Sequence, residues 1–121
     1  AKGSLTKAGK NEAIKNLIGA AENGDLATIR SLLEQGVRST SANRGGETAL
    51  MAAAENGRLE CLDHLIAIHL EKKANLNAQT TAKWTALHLA TMCGHAPCAE
   101  SLLKAGADAS LKNQAGETAL D

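Results

Sequence analysis

Phenylalanine and tyrosine are absent from this 121-residue chain, and tryptophan, proline and valine occur once each. Strands draw heavily on aromatic and β-branched side chains, so a large sheet or β-sandwich is excluded. An excess of either charge is also missing: 13 basic residues balance 13 acidic ones. Proteins that hold nucleic acid are usually basic with a clustered footprint, and this balance argues against that partner. No apolar run approaches membrane-spanning length, and the opening residues lack the pattern of a signal peptide. Cysteine is sparse and odd in number, three in all. That usage suits a reducing compartment, cytoplasm or nucleus, better than a disulfide framework. What remains plentiful is small and aliphatic. A core of leucine, isoleucine and alanine is expected, in one domain of ordinary size.

The chain repeats itself. Glu47-Thr48-Ala49-Leu50 returns as Trp84-Thr85-Ala86-Leu87 and as Glu117-Thr118-Ala119-Leu120. Thr85 to Thr118 is 33 residues, and Thr48 to Thr85 is 37. Ala20-Ala21-Glu22-Asn23-Gly24 matches Ala53-Ala54-Glu55-Asn56-Gly57, again 33 apart, and Ser31-Leu32-Leu33 matches Ser101-Leu102-Leu103. Three independent markers hold one register, the signature of a repeat architecture.

Each unit reads as two short helices and a turn. In the second unit the Thr48 hydroxyl is placed to cap the first helix. Leu50, Ala53 and Ala54 then share a face, and Gly57 stops the helix. A second helix runs through Leu59, Leu62, Leu65 and Ile66, and stretches such as Asn43-Arg44-Gly45-Gly46 read as tight turns. One helix pair cannot bury its apolar face, so such units come stacked.

Thr85-Ala86-Leu87-His88-Leu89-Ala90 resembles the ankyrin signature Thr-Pro-Leu-His-x-Ala, with alanine for proline, and Leu102 to Asp108 resembles the ending of an ankyrin second helix. The resemblance covers residues 11 to 121. It implies an all-α ankyrin solenoid of stacked antiparallel helix pairs joined by hairpin-like fingers. Residues 1–10 are expected to be a tag remnant or disordered lead. The units are expected at 11–42, 43–79, 80–112 and, in part, 113–121. Two departures stand out. Thr80 and Lys83 replace the usual Asp and Gly of the third unit's turn, which predicts a looser or differently shaped finger. Ile66 to Lys73 replaces a shorter ending and lacks its glycine, so the second helix there is expected to gain about one turn and stop near Lys72 or Lys73. That extension reads as a tolerated insertion or as an extra contact surface.

Chemistry finds little to work with. Cys93, His95 and Cys98 lie close in sequence, as do Cys61 and His64, but zinc needs a tetrahedral set. Cys61 and Cys98 share one repeat position, usually apolar and buried, and read as small core residues. His95 falls where the family has a turn-bridging histidine, and His88 in the signature slot is expected to bond Thr85. Cys93 lacks an oriented base, so no nucleophile is built. No catalysis, cofactor or metal is expected.

The resemblance implies partner contacts at the finger tips and the exposed ends of the first helices. These map to Glu22, Asn23, Arg44, Glu47, Glu55, Asn56, Thr81, Trp84, Met92, Cys93, Gln114 and Glu117. Trp84 and Met92 make an apolar centre with glutamates around it, which suits a basic and apolar segment of another protein. The expectation is a monomeric protein-binding module, with no nucleic acid and no membrane insertion. The alternative is a structural segment of a longer solenoid with no ligand of its own.

Overall fold

The computed structural model describes residues 7–120, with side chains from Gly9 onward. Six helices follow one another: α1 Lys7–Asn23, α2 Leu26–Glu34, α3 Ala49–Glu55, α4 Leu59–Glu71, α5 Ala86–Met92 and α6 Ala96–Lys104. They stack in two layers. α1, α3 and α5 form the inner layer and α2, α4 and α6 the outer one, each pair antiparallel and packed on the next. Among the described residues there is no strand, only an isolated antiparallel bridge from Ala42 to Thr48 at the base of a finger.

Alanine makes the inner layer possible. Ala49 through Ala54 are all buried, not only the one face that periodicity marks, because α3 is enclosed by α1, α5 and α4. Four of the six are alanine, which lets the neighbouring helices come close, while Leu50 and Met51 fill the space between them. Larger apolar residues fill the seam between the layers: Leu17, Ile29, Leu62, Leu65, Leu87 and Leu102 are fully buried. Each contributes about 1.5–3 kcal/mol by leaving water.

The turns repeat as faithfully as the helices. Thr48 and Thr85 cap α3 and α5, their hydroxyls accepting from Met51 N and His88 N. Gly24, Gly57 and Gly94 carry positive φ of 74°, 69° and 77° between inner and outer helices. At the end of α2 and α6, Gly36 and Gly106 stand near φ 100°, and Val37 and Ala107 donate back to Leu32 and Leu102. This six-to-one closure is the Schellman ending.

α4 has 13 residues where α2 and α6 have nine, the four-residue gain that the 37-residue spacing predicts. Its ending keeps the same closure, Ala74 N to His69 O at 2.7 Å, with Lys73 at φ 54° in the glycine place. At the other end α1 takes in Lys7 to Lys10, which the sequence reading left in a lead. The run carries no proline, and Ile14 beyond it packs against the core, so the helix has reason to continue. Residues 1–6 of that lead lie outside the described residues.

Candidate functional site

Three fingers project in register: Asn43–Glu47, Thr80–Trp84 and Asn113–Glu117. In each the first residue's N–H donates to the last residue's carbonyl, at 3.0, 2.9 and 2.9 Å. The fingers are also joined to each other, Thr81 N to Gly45 O at 3.0 Å and Gln114 N to Ala82 O at 2.9 Å. The middle finger therefore keeps the common shape, contrary to the looser one expected from Thr80 and Lys83. Lys83 adopts φ 69°, close to the 78° of Gly46 and 82° of Gly116. The Thr80 hydroxyl accepts from Trp84 N at 3.1 Å, doing part of what the asparagines do elsewhere.

This register sets Trp84 beside the inner helices. Its ring meets His88 edge-on, with centroids 5.6 Å apart and planes at 73°. His88 is itself fixed. Nε2 lies 2.9 Å from the Glu117 carbonyl, which only accepts, so Nε2 carries the hydrogen. Nδ1 is then the acceptor for Thr85 N at 3.2 Å and the Thr85 hydroxyl at 2.8 Å. Thus one histidine holds the Thr85 cap, the next finger and the edge of Trp84 together.

Two hollows open on either side of Trp84 and Met92. The first gathers Glu47, Glu55, Thr81, Trp84 and Met92 with Thr80 and Leu89. The second gathers Trp84, Met92 and Glu117 with His88, Thr91 and Leu120. Met92 is 61% exposed. Six of the twelve sequence-predicted residues therefore meet around one apolar centre. The other six are exposed and line neither hollow. Glu22 and Asn23 end α1, where the Glu22 carbonyl accepts from Arg58 Nε at 2.9 Å. Asn56 caps α3, its amide donating to the Ala52 carbonyl. Arg44 and Gln114 sit on their fingers, and Cys93 ends α5. Sequence reasoning missed Leu89, although its i, i+3 spacing from Met92 puts both on one face of α5.

The sulfur and imidazole groups do structural work. Cys61 and Cys98 are 1% exposed, and burial, aided by nearby acids, pushes both thiols up. His95 packs its ring over Gly57: a Cβ there would lie 2.7 Å from the ring Nδ1. It bridges successive turns by contact, where a hydrogen bond was expected. Among the described residues no three His, Cys, Asp or Glu side chains stand grouped to hold a metal ion, and no helix is long and apolar enough to cross a membrane.

Known proteins share this arrangement. Residues 17–113 match the family described as ankyrin repeats, three copies. The chain is 32% identical over 111 residues to human ankyrin repeat and SOCS box protein 2, which covers 92% of this chain and 17% of that protein. It is 33% identical over 104 residues to rat ankyrin repeat and SAM domain-containing protein 6, covering 84% of this chain and 11% of that protein. It is 33% identical over 110 residues to the mouse B-cell lymphoma 3 protein homolog, covering 90% and 24%. The chain spans less than a quarter of the length of each of these relatives. Ankyrin repeats are in general protein-interaction modules, not enzymes. On its repeat spacing, its stacked helix pairs and this match, the chain belongs to the ankyrin-repeat family.

Proposed function

We propose that the hollows around Trp84 and Met92 take a segment of another protein, and that the chain acts by binding alone. The observation that carries this is the exposed Met92 beside Trp84, with Leu89 on the hollow's floor and Glu47 and Glu55 on its rim. An apolar partner side chain would seat between Trp84 and Met92, and a basic one would meet the two glutamates. Tryptophan and methionine suit such a role, one rigid and amphipathic, the other adaptable. Truncating such an anchor costs on the order of 2 kcal/mol of binding. The expected setting is a reducing compartment, with the chain monomeric when free.

The test is a pull-down from cytosolic extract with mass spectrometric identification. Wild type runs beside a Trp84→Ala, Met92→Ala variant whose folding is checked by circular dichroism. A protein retained by wild type and lost by the folded variant supports the site. Equal retention by both places the contact elsewhere.

A second reading, a segment within a longer solenoid, is favoured by Leu103 and Leu120, which are 42% and 71% exposed. A further repeat stacked on α5 and α6 would cover them. On this reading neither wild type nor the variant would retain a protein, and appending a repeat would raise the unfolding midpoint.

A further inference from the structure

The remaining surface carries a second feature, at the opposite end of the stack from Leu120. Lys15 stands 33 residues before Thr48, at the place where the other units begin their inner helix after a finger. The first unit has no finger there. α1 is already helical from Lys7, through the repeat positions that a finger takes in the other units. Grooves are left along both flanks of the helix. One is lined by Lys10, Ala13, Ile14, Val37, Arg38 and Ser41. The other is lined by Asn11, Ile14, Lys15, Asn43 and Arg44. Ile14 is the ridge between them.

The charges in these grooves are of one sign. Lys10 and Arg38 lie in the first, Lys15 and Arg44 in the second, and among the described residues neither is lined by an acid. All four side chains are exposed, and none has a carboxylate at ion-pair distance among the described residues. Glu12 on the same helix stands about 200° round from Ile14 at 3.6 residues per turn, on the far side. Glu34 ends α2 next to the first groove but lines neither. Glu47 lines the Trp84 hollow and neither of these grooves, its carboxylate accepting from the Asn43 amide at 2.8 Å. In a chain of zero net charge, four unpaired cations have collected around one half-buried isoleucine.

We infer that the two grooves flanking Ile14 dock an acidic, extended segment of a partner protein. Charge complementarity selects the acids, and Ile14 with Val37 selects an apolar residue between them. Lys10 and Lys15 are five helical residues apart, roughly 7.5 Å along the axis and about 140° round it, so a segment laid across Ile14 meets one cation on each flank of α1. Complementary charge chiefly sets encounter rate and register, so the interaction is fast and salt-sensitive. It does not rest on the Trp84 hollows, and the two sites are separable by mutation.

The probe is a fluorescein-labelled decapeptide alternating glutamate with serine around one central leucine, followed by fluorescence anisotropy at low and physiological salt. The expected result is binding that weakens as salt rises. The pair Lys10→Glu, Arg38→Glu and the pair Lys15→Glu, Arg44→Glu should each weaken it by about tenfold or more. The Trp84→Ala, Met92→Ala variant should leave it unchanged. Circular dichroism confirms that the charge-reversed proteins, altered only at exposed positions, remain folded. Three results would overturn the inference. A peptide with lysine for glutamate binds as well. The Lys72→Ala, Lys73→Ala control weakens binding as much as the groove variants do. Or a single-stranded oligonucleotide of matched charge binds more tightly and is lost by the same groove variants, which would make nucleic acid the ligand.

Discussion

The first and middle fingers follow one path by different chemistry. In Asn43–Glu47 the asparagine Oδ1 accepts from Gly45 N and Glu47 N, at 2.9 and 3.0 Å, and its amide donates to the Glu47 carboxylate. Gly46 then takes the left-handed turn at no steric cost. In Thr80–Trp84 a hydroxyl accepts one N–H, a lysine takes the left-handed turn, and a tryptophan stands where the glutamate was. The middle finger thus gives up two local stabilising devices and keeps its shape through the neighbours hydrogen-bonded on either side. Strain of this kind gathers at functional positions. It coincides here with the one aromatic residue of the chain.

The contrast can be broken most severely at Gly46. A Cβ there would lie 3.0 Å from the Thr80 backbone, on a residue already at positive φ. Gly46→Ala is expected to lose about 2–3 kcal/mol of unfolding free energy, from left-handed strain plus backbone crowding, read by urea titration. Gly116, with a similar φ, has no atom within 4 Å of its Cβ position. Gly116→Ala should lose only the strain, about 1 kcal/mol. Equal losses would show that the close approach at Gly46 counts for nothing.

Asparagine against threonine is the next contrast. Asn43→Ala orphans two backbone donors and should lose about 1–2 kcal/mol, whereas Thr80→Ala orphans one and should lose about 0.5–1 kcal/mol. Lys83→Gly sharpens the comparison in the other direction. Relieving the left-handed lysine should raise stability by about 0.5–1 kcal/mol after the added freedom of glycine in the unfolded chain is offset. A thermal unfolding midpoint that does not rise would mean that the neighbouring fingers already absorb the strain.

The smallest expected effect lies one turn earlier in the repeat. Asn75 and Asp108 occupy equivalent places, accepting from Asn77 N and Ser110 N at 2.8 Å each. Asp108 also accepts the Ser110 hydroxyl, and these bonds hold its exposed carboxyl below the ordinary carboxylate range. Its folded pKa is depressed, so its contribution is present above the unfolded value and lost as pH falls through the folded one. Asp108→Asn, copying Asn75, should leave neutral stability nearly unchanged and flatten the dependence below pH ~4.

Much of this was legible because it recurs. Thr48, Gly57 and the Leu32, Leu102 series announced helices, caps and turns, and the 37-residue interval announced the longer α4. What stayed illegible needed either a backbone angle or a distance. No rule of composition says that Lys73 and Lys83 will take the conformation of the glycines they replace; their neighbours impose it. Five of the proposed contacts converge on Trp84 because the fingers, α3 and α5 are held at fixed separation, while Glu22 or Gln114 fall outside on the same periodic rule. The basic grooves were hidden more completely. Lys10, Lys15, Arg38 and Arg44 are scattered through the sequence, and only the continuation of α1 past the usual helix start sets them around Ile14.

The side chains laid over Gly24 and Gly57 belong to the following unit. A Cβ at Gly24 would come within 3.1 Å of Arg58 Cδ, as one at Gly57 would of the His95 ring. Each glycine is therefore a seat shaped for a residue encoded one period later. A gene that grows by copying whole helix pairs would separate seats from their occupants at the new joints. Gly24 and Arg58 stand 34 residues apart and Gly57 and His95 38, in each case one residue more than the repeat interval between the glycines, so no break point within a single period keeps a seat with the side chain that fills it. The smallest stretch such an array could copy with its joints already matched is longer than the unit the eye picks out.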